Sequence, residues 1–96
     1  MNEIIKYINK RKTNIGILGL GYVGLPLAIR FSEEKFKVVG FDIDAEKVQM
    51  LNAGKSFINH ISEKKISAMV KAGFTATDDF RKISDIEIIL IFPIYF

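Results

Sequence analysis

Three glycines at positions 19, 21 and 24 follow directly on the short apolar run Ile15–Leu18 and precede a stretch with helical periodicity. The run has the length and composition of a buried β-strand, and the residues after the glycines repeat apolar side chains at helical spacing. A lone G-x-G-x-x-G pattern is a weak signal, because ordinary glycine-rich turns contain it too. Placed between a strand and a helix, it predicts the first turn of a dinucleotide-binding unit.

Each glycine answers a different steric demand of such a turn. Gly19 permits the tight passage from strand to helix, and Gly21 leaves the backbone open to a pyrophosphate group. Gly24 lets the helix pack closely on the strand that precedes it. The first backbone N–H groups of the helix, from about Tyr22, would then face the phosphates with the positive end of the helix dipole behind them.

A second apolar run, Lys37–Phe41, ends in Asp42, which lies 18 residues after Gly24. This interval is close to the roughly 20 residues that separate the glycine turn from a ribose-binding acid. At the tip of a parallel strand, a carboxylate can accept hydrogen bonds from both ribose hydroxyls and repels a 2′-phosphate, which favours NAD over NADP. Asp42 or Asp44 could instead cap the next helix. We assign capping to Asp44, because only Asp42 sits at the strand tip.

The rest of the chain continues the alternation of strands and helices. It predicts an α/β fold, an incomplete Rossmann-like doubly wound parallel sheet of about four strands, β-α-β-α-β-α-β, in the order 3-2-1-4. The final apolar run is suited to a strand buried on both faces. The elements predicted after the glycine turn are a helix from Tyr22 or Val23 to Phe36, a helix over 45–53 closed by Gly54, a helix from Ser62 closed by Gly73, a strand over 74–77, a helical turn over 78–82 and a strand over 86–92.

Composition limits the classes of function. With 96 residues, 49% hydrophobic and 26% charged, the chain is predicted to be one small globular domain. Zero cysteines exclude disulfides, thiolate metal ligands and a cysteine nucleophile within these residues, and a single histidine, His60, disfavours a zinc site. A lone histidine beside Ile61 is more often structural than catalytic, so we predict no catalytic and no metal-binding residue in the chain.

The N-terminal residues differ in character from the rest of the chain. Residues 1–13 are predicted to form an amphipathic helix and a basic lead, and residues 14–96 a partial NAD-binding domain. The net charge of +3 comes largely from four basic residues between positions 6 and 12, which indicates a local basic arm and not a nucleic-acid surface. Neither a secretory signal nor an apolar run of about 20 residues is visible, so we expect no membrane span and a cytoplasmic location.

Four segments carry a more specific pattern: Gly19–Ala28 (GLGYVGLPLA), Gly40–Asp44 (GFDID), Leu51–Ser56 (LNAGKS) and Phe74–Asp78 (FTATD). Together they resemble the N-terminal domain of the UDP-glucose/GDP-mannose dehydrogenase family, over about residues 4–91. The resemblance is specific, because Gly-Tyr-Val-Gly-Leu-Pro adds side chains that a generic dinucleotide pattern does not need. The N-terminal lead and the segment 56–62 are most similar to bacterial UDP-N-acetyl-hexosamine (GlcNAc or ManNAc) 6-dehydrogenases.

The resemblance implies a reaction and a site. Members oxidise the sugar C6 alcohol to a carboxylate in two NAD-dependent steps, through a cysteine thioester. By position, the family's ribose-binding aspartate matches Asp42 and its basic ribose or adenine contact matches Lys47, although a surface lysine is more often simply solvated. NAD is implied as the cofactor and a UDP-sugar as substrate only in a full-length form, without a nucleic-acid or membrane partner. The implied cofactor-binding residues are Gly19, Leu20, Gly21, Tyr22, Val23, Gly24, Asp42 and Lys47.

The chain departs from the family pattern after its last predicted strand. The family continues with a valine-proline-threonine-proline-like loop, whereas this sequence reads Phe92-Pro-Ile-Tyr-Phe96. We therefore expect an N-terminal remnant that lacks the catalytic cysteine and sugar-binding domain, is inactive alone and self-associates through its exposed last strand. Two alternatives are a stand-alone NAD-binding or regulatory module and a fragment of another G-x-G-x-x-G dehydrogenase. The Tyr22-Val23 pair and the segment Asn52–Ser56 argue against the second.

Overall fold

Four parallel strands form a single sheet in the computed structural model, which describes residues 14–91. The order β3-β2-β1-β4 confirms the predicted topology and fold class. The register runs from Asn14 opposite Lys37 to Leu18 opposite Phe41 between the two central strands. The strands are β1 (Asn14–Leu18), β2 (Lys37–Phe41), β3 (Thr75–Thr77) and β4 (Ile88–Ile91).

Three α-helices and one 3₁₀ helix connect the strands, and two of the α-helices begin at a residue whose side chain caps them. The Asp44 carboxylate accepts the N–H groups of Glu46 and Lys47, which confirms its assignment as a helix cap. Ser62 caps the following helix through the Lys65 N–H. The helices are α1 (Gly24–Glu33), α2 (Ala45–Asn52), α3 (Glu63–Lys71) and the 3₁₀ helix (Phe80–Asp85).

Glycines end two helices as predicted, but a lysine ends the first. Gly54 and Gly73 follow α2 and α3 with φ of +78° and +111°. After α1, Lys35 has a φ of +72°, and the Phe36 N–H donates to the Phe31 carbonyl at 3.1 Å. This six-to-one hydrogen bond is a Schellman ending. The helix therefore stops at Glu33, and the prediction that it continues to Phe36 is wrong.

Several other boundaries differ from the prediction. Helix α1 begins at Gly24, one or two residues later than expected, with Pro26 inside its first turn. A 3₁₀ helix replaces the short turn predicted over 78–82, whereas both helices predicted between β2 and β3 are present. Strand β4 lies at the edge of the described sheet and is not buried on both faces, since Ile89 is 38% exposed.

The main apolar core lies between the sheet and the three α-helices. Strands β1 and β2 contribute Ile15, Ile17 and Val38, which are almost fully buried. On the opposite face, Phe41 packs against Phe80 of the 3₁₀ helix, with 5.7 Å between ring centroids. The helices contribute Leu25, Ala28, Ile29, Val48, Leu51, Ile66 and Met69. Burial on both sides fixes β1 and β2, whose carboxyl ends carry the predicted site.

Two predictions about the chain ends lie outside the described residues. The predicted amphipathic helix falls within residues 1–13, and the tail beyond β4 falls within residues 92–96. Among the α-helices of residues 14–91, none combines the length and the apolar character required to cross a membrane.

Candidate dinucleotide-binding site

The carboxyl ends of β1 and β2 meet at one edge of the sheet, and the glycine turn starts there. Gly19 has a φ of +99°, a left-handed conformation that favours glycine. Its N–H donates to the Phe41 carbonyl at 2.8 Å, so the turn is tied to the last residue of the neighbouring strand. The tight turn predicted at Gly19 is thus present.

Gly24 and Gly21 meet opposite steric demands. A Cβ on Gly24 would overlap the carbonyl oxygen of Gly19 and lie 3.3 Å from Cγ2 of Ile17. Only a glycine therefore allows α1 to start this close to the turn. A Cβ on Gly21 would find no atom within 4 Å, so the backbone there faces open space. The geometry fits a group that approaches the backbone at Gly21.

Asp42 joins the glycine turn to the tip of β2. It is only 7% exposed, and its Oδ2 accepts the Leu20 N–H at 3.0 Å. Its Oδ1 accepts the Asp44 N–H at 2.9 Å, while its own N–H donates to the Thr77 carbonyl at 3.1 Å. An ionised carboxylate has about four acceptor positions, so about two stay available for hydroxyl donors. The carboxylate is both a structural anchor and a candidate ribose acceptor.

The remaining residues predicted in the turn differ in exposure. The Leu20 side chain is fully buried in the core, and its N–H is already donated to Asp42. Tyr22 and Val23 are 76% and 57% exposed at the entrance to α1. Leu20 therefore shapes the turn from within, whereas Tyr22 and Val23 present side chains to a ligand or to solvent.

Lys47 lies in the first turn of α2, on the element that follows Asp42. Its Nζ is 5.2 Å from the centroid of the Phe57 ring, within range of a cation–π interaction. Its backbone N–H is capped by Asp44 at 3.3 Å. Within residues 14–91 it takes part in no ion pair. The lysine predicted to contact the cofactor is therefore held by an aromatic ring instead of a carboxylate.

Two further residues join this edge from the α2–α3 loop (residues 53–62). Phe57 lies under Lys47, and the His60 ring stacks on Tyr22 with 6.0 Å between centroids and 20° between planes. Local patterns could not identify them, since both contacts join residues distant along the chain. Their only sequence signal is the family resemblance of the segment 56–62. In the described part of the chain, no three His, Asp or Glu side chains gather in a way that could hold a metal ion.

A parallel sheet in the order 3-2-1-4 with a glycine turn after its first strand defines the dinucleotide-binding class of α/β folds. The sequence profile described as UDP-glucose/GDP-mannose dehydrogenase family, NAD binding domain, matches residues 13–92. The chain belongs to this family, and the matched residues correspond to its NAD binding domain.

Individual relatives agree with that assignment. The chain is 44% identical over 57 residues to UDP-N-acetyl-D-mannosamine dehydrogenase of Pyrococcus horikoshii, an alignment that covers 59% of this chain and 13% of the relative. It is 36% identical over 81 residues to Protein CapL of Staphylococcus aureus, covering 84% of this chain and 19% of that protein. The chain thus spans less than a fifth of the length of these curated relatives.

Solved structures show the same fold. GDP-mannose dehydrogenase from Pseudomonas aeruginosa superposes with a TM-score of 0.76 and 32% identity, over 82% of this chain and 19% of that chain. NDP-N-acetyl-D-galactosaminuronic acid dehydrogenase from Methanosarcina mazei superposes with a TM-score of 0.73 and 34% identity, over 91% of this chain and 21% of that chain. The similarity therefore covers most of this chain but only a minor part of each dehydrogenase.

Proposed function

We propose that this chain binds NAD at the carboxyl edge of its sheet and forms the adenosine side of the cofactor site of a nucleotide-sugar 6-dehydrogenase. The observation that carries the proposal is the 3.0 Å hydrogen bond from the Leu20 N–H to the Asp42 carboxylate. It fixes the proposed ribose acceptor against the glycine turn before any ligand arrives. The proposed binding residues are Gly19, Leu20, Gly21, Tyr22, Val23, Gly24, Asp42 and Lys47.

The proposed binding residues have different roles. Gly21 gives the pyrophosphate access to the backbone, Asp42 accepts ribose hydroxyls, and Lys47 contributes a positive charge beside them. NAD, when bound, accepts a hydride from the carbon that is oxidised. The 96 residues contain no cysteine, so they supply no thiol for a thioester step. Their contribution is binding and orientation of the cofactor.

The substrate of the full-length protein is proposed from its relatives. Several of them are UDP-N-acetyl-D-mannosamine dehydrogenases, which supports a UDP-N-acetyl-hexosamine, with UDP-glucose as the alternative. A stand-alone NAD-binding or regulatory module is the second candidate, since the residues matched by the family, 13–92, correspond to its NAD binding domain. Both candidates predict NAD binding without UDP-sugar-dependent NADH formation by the 96-residue chain. A coding sequence that continues past codon 96 into a cysteine motif would favour the dehydrogenase over the module.

Isothermal titration with NAD and NADP tests the cofactor proposal. We expect NAD to bind more tightly, because the Asp42 carboxylate repels a 2′-phosphate. Asp42→Asn removes the charge but keeps the size, so NAD binding should weaken and the preference over NADP should shrink. Hydrogen bonds to a charged acceptor contribute about 1.5–3 kcal/mol each, so the loss should be about tenfold or more.

Asp44→Asn is the matched control. Asparagine caps helices as well as aspartate does, and the substitution removes one carboxylate only two residues from Asp42. Its cofactor preference should therefore equal that of the wild type. Tighter binding of NADP by the wild type, or equal effects of the two substitutions, would contradict the role of Asp42.

Self-association through β4 is a separate proposal. In residues 14–91, β4 pairs with β1 and no described strand pairs with its other edge, and Ile89 on this strand is 38% exposed. Exposed apolar edge strands promote association. Light scattering over a dilution series should show oligomers that Ile89→Lys reduces. A wild-type chain that stays monomeric at every concentration would contradict this proposal.

Two further proposals concern the chain as a whole. Residues 1–13 are proposed as an amphipathic helix and basic lead that precede a partial NAD-binding domain over residues 14–96, and a family match that begins at residue 13 supports this division. A cytoplasmic location is proposed because the relatives are nucleotide-sugar dehydrogenases of an NAD-binding family, and their substrate and cofactor would be supplied in the cytoplasm. Fractionation of cells that produce the chain tests the location, and recovery from the membrane fraction would contradict it.

A further inference from the structure

The α2–α3 loop contacts two of the proposed cofactor residues at once. Its Phe57 ring lies 5.2 Å from the Lys47 Nζ, and its His60 ring stacks on Tyr22 at 6.0 Å. Lys47 belongs to α2 and Tyr22 to the glycine turn, so the loop connects the two sides of the proposed site. We propose that Phe57 and His60 are positioning residues that hold Lys47 and Tyr22 in their binding orientations. This inference rests on the proposed function.

The loop has a fixed backbone from which such side chains can act. Ile58 and Ile61 are buried in the main core, which anchors the loop at two points. Between them and α2, the Ser56 hydroxyl donates to the Ile58 carbonyl at 2.9 Å and accepts the Ile58 N–H at 3.2 Å. A segment anchored in this way loses little further freedom when a ligand binds, so it can orient its neighbours.

Phe57 restricts a side chain that otherwise has many rotamers. A lysine on a helix surface loses conformational entropy when a ligand fixes its ammonium group. The Phe57 ring packs against the core and is half-buried, so it offers a rigid face to the Lys47 ammonium. The distance of 5.2 Å lies within the range of about 6 Å for a cation–π contact. Part of the ordering of Lys47 is thereby complete before the cofactor binds.

His60 restrains the most exposed aromatic side chain of the glycine turn. Tyr22 is 76% exposed, directly after the open position at Gly21. The nearly parallel rings of Tyr22 and His60, at 6.0 Å and 20°, fall within the range of aromatic stacking. The stack joins the turn to a loop almost forty positions further along the chain. Tyr22 therefore has a preferred orientation that its own backbone does not impose.

A purely structural contact and a positioning contact predict different measurements. If the loop only stabilises the fold, substitutions in it should lower the melting temperature and leave the NAD dissociation constant unchanged. If it positions Tyr22 and Lys47, the dissociation constant should rise while the melting temperature stays nearly constant. Aromatic replacements should then restore binding, because the ring and not the identity of the residue orients its neighbour.

The experiment is NAD titration of the 96-residue chain, by calorimetry, with paired variants at each position. His60→Ala should weaken NAD binding about two- to five-fold, the effect of one exposed aromatic contact, and His60→Phe should restore it. Phe57→Leu, which keeps the apolar volume, should weaken binding by a similar factor through loss of the cation–π contact, and Phe57→Tyr should restore it. Asn59→Ala, in the same loop and exposed, is the control that should bind like the wild type.

A double-mutant cycle tests whether His60 affects NAD binding through Tyr22. His60→Ala should weaken binding in the wild type but have no additional effect on Tyr22→Ala, because His60 acts through Tyr22. The ring-proton NMR signals of Tyr22 should also shift in His60→Ala before NAD is added. If His60→Ala weakens NAD binding equally in the wild type and in Tyr22→Ala, this inference alone is overturned. The same holds if neither His60→Ala nor Phe57→Leu changes NAD binding. A wild-type chain that binds no NAD would overturn the proposed function and this inference with it.

Discussion

The side-chain amide of Asn52 forms two hydrogen bonds with the backbone of Ala76, donating from Nδ2 to the carbonyl at 2.9 Å and accepting the N–H at Oδ1 at 2.8 Å. Asn52 ends α2, and Ala76 is the middle residue of β3, an edge strand of the described sheet. The amide therefore satisfies the N–H and C=O groups of Ala76, with which a further strand at this edge would otherwise pair. Satisfying these groups within the chain reduces the tendency of the edge to pair with another molecule.

Asn52→Asp should destabilise the fold, because the carboxylate keeps the shape but cannot donate to the Ala76 carbonyl. It would also place a negative charge against that oxygen. The loss of one partner in a paired, partly buried amide costs about 1–3 kcal/mol. Urea denaturation followed by circular dichroism measures the change in the free energy of unfolding.

Asn59→Asp is the matched control for this prediction. Asn59 is exposed in the α2–α3 loop, so the same chemical change there should alter the free energy of unfolding by less than about 0.5 kcal/mol. If the two variants unfold at the same urea concentration, the two hydrogen bonds to Ala76 do not contribute to stability in solution.

The glycines at positions 21 and 24 should respond oppositely to the smallest possible side chain. Gly24→Ala places a Cβ on the carbonyl oxygen of Gly19, so α1 must move away from the turn. Overpacking of this kind costs about 1–3 kcal/mol or more. Gly21→Ala meets no protein atom within 4 Å, so its free energy of unfolding should change by less than about 1 kcal/mol.

Thermal melts and NAD titration together separate the two roles. Gly24→Ala should lower the melting temperature strongly, whereas Gly21→Ala should melt like the wild type and bind NAD more weakly. Equal melting temperatures for both variants would show that Gly24 is not sterically required. Unchanged NAD binding by Gly21→Ala would remove Gly21 from the proposed pyrophosphate contact.

Features that depend on neighbouring residues are predictable from the sequence. Asp44 caps α2 because a short carboxylate can reach the N–H groups two and three residues ahead of it. The turn at Gly19 and the helix endings at Gly54 and Gly73 need positive φ, which glycine adopts without strain. Strand order is a consequence of the alternation of strands and helices and the handedness of their connections.

Contacts between distant residues are not predictable in this way. The Schellman ending at Lys35 has no sequence signal, because a lysine does not indicate positive φ. The contacts of Asn52 with Ala76 and of His60 with Tyr22 depend on how α2 and its loop pack on the sheet. Position at a strand tip predicts only ribose binding for Asp42, although its carboxylate also accepts two backbone N–H groups. Apart from the ending at Lys35 and the Asp44 N–H bond to Asp42, which are local, these features are consequences of tertiary structure.

The Asp79 carboxylate should titrate at lower pH than an ordinary aspartate. The Arg81 side chain donates to this carboxylate from Nε at 2.9 Å and from Nη2 at 3.1 Å, and the Arg81 backbone N–H donates to it as well. These hydrogen bonds lower the pKa of Asp79, and those from the side chain are the largest cause. A lowered folded-state pKa means that the ionised form stabilises the fold above the usual value of about 3.9. This contribution is lost as the pH falls through the lower, folded-state pKa.

NMR titration of the Asp79 side chain tests the direction of the shift. Arg81→Gln should return the pKa of Asp79 toward its ordinary value. Lys82→Gln removes the same charge from the next residue but contributes only a weak charge effect, so it should change the pKa less. A titration midpoint at or above the ordinary value in the wild type would contradict the paired geometry.

Lys35→Gly should stabilise the protein, in contrast to most substitutions by glycine. At a φ of +72°, a side chain costs about 1–2 kcal/mol relative to the right-handed region, and glycine avoids this cost. Glycine also increases the entropy of the unfolded chain, which offsets about 0.4–1 kcal/mol of the gain. The net increase in the free energy of unfolding should be about 0.5–1 kcal/mol.

Ala68→Gly, at an exposed position inside α3, should instead lower the free energy of unfolding by about 1 kcal/mol. Urea denaturation of both variants measures the opposite signs, and destabilisation by Lys35→Gly would show that the left-handed helix ending is not retained in solution.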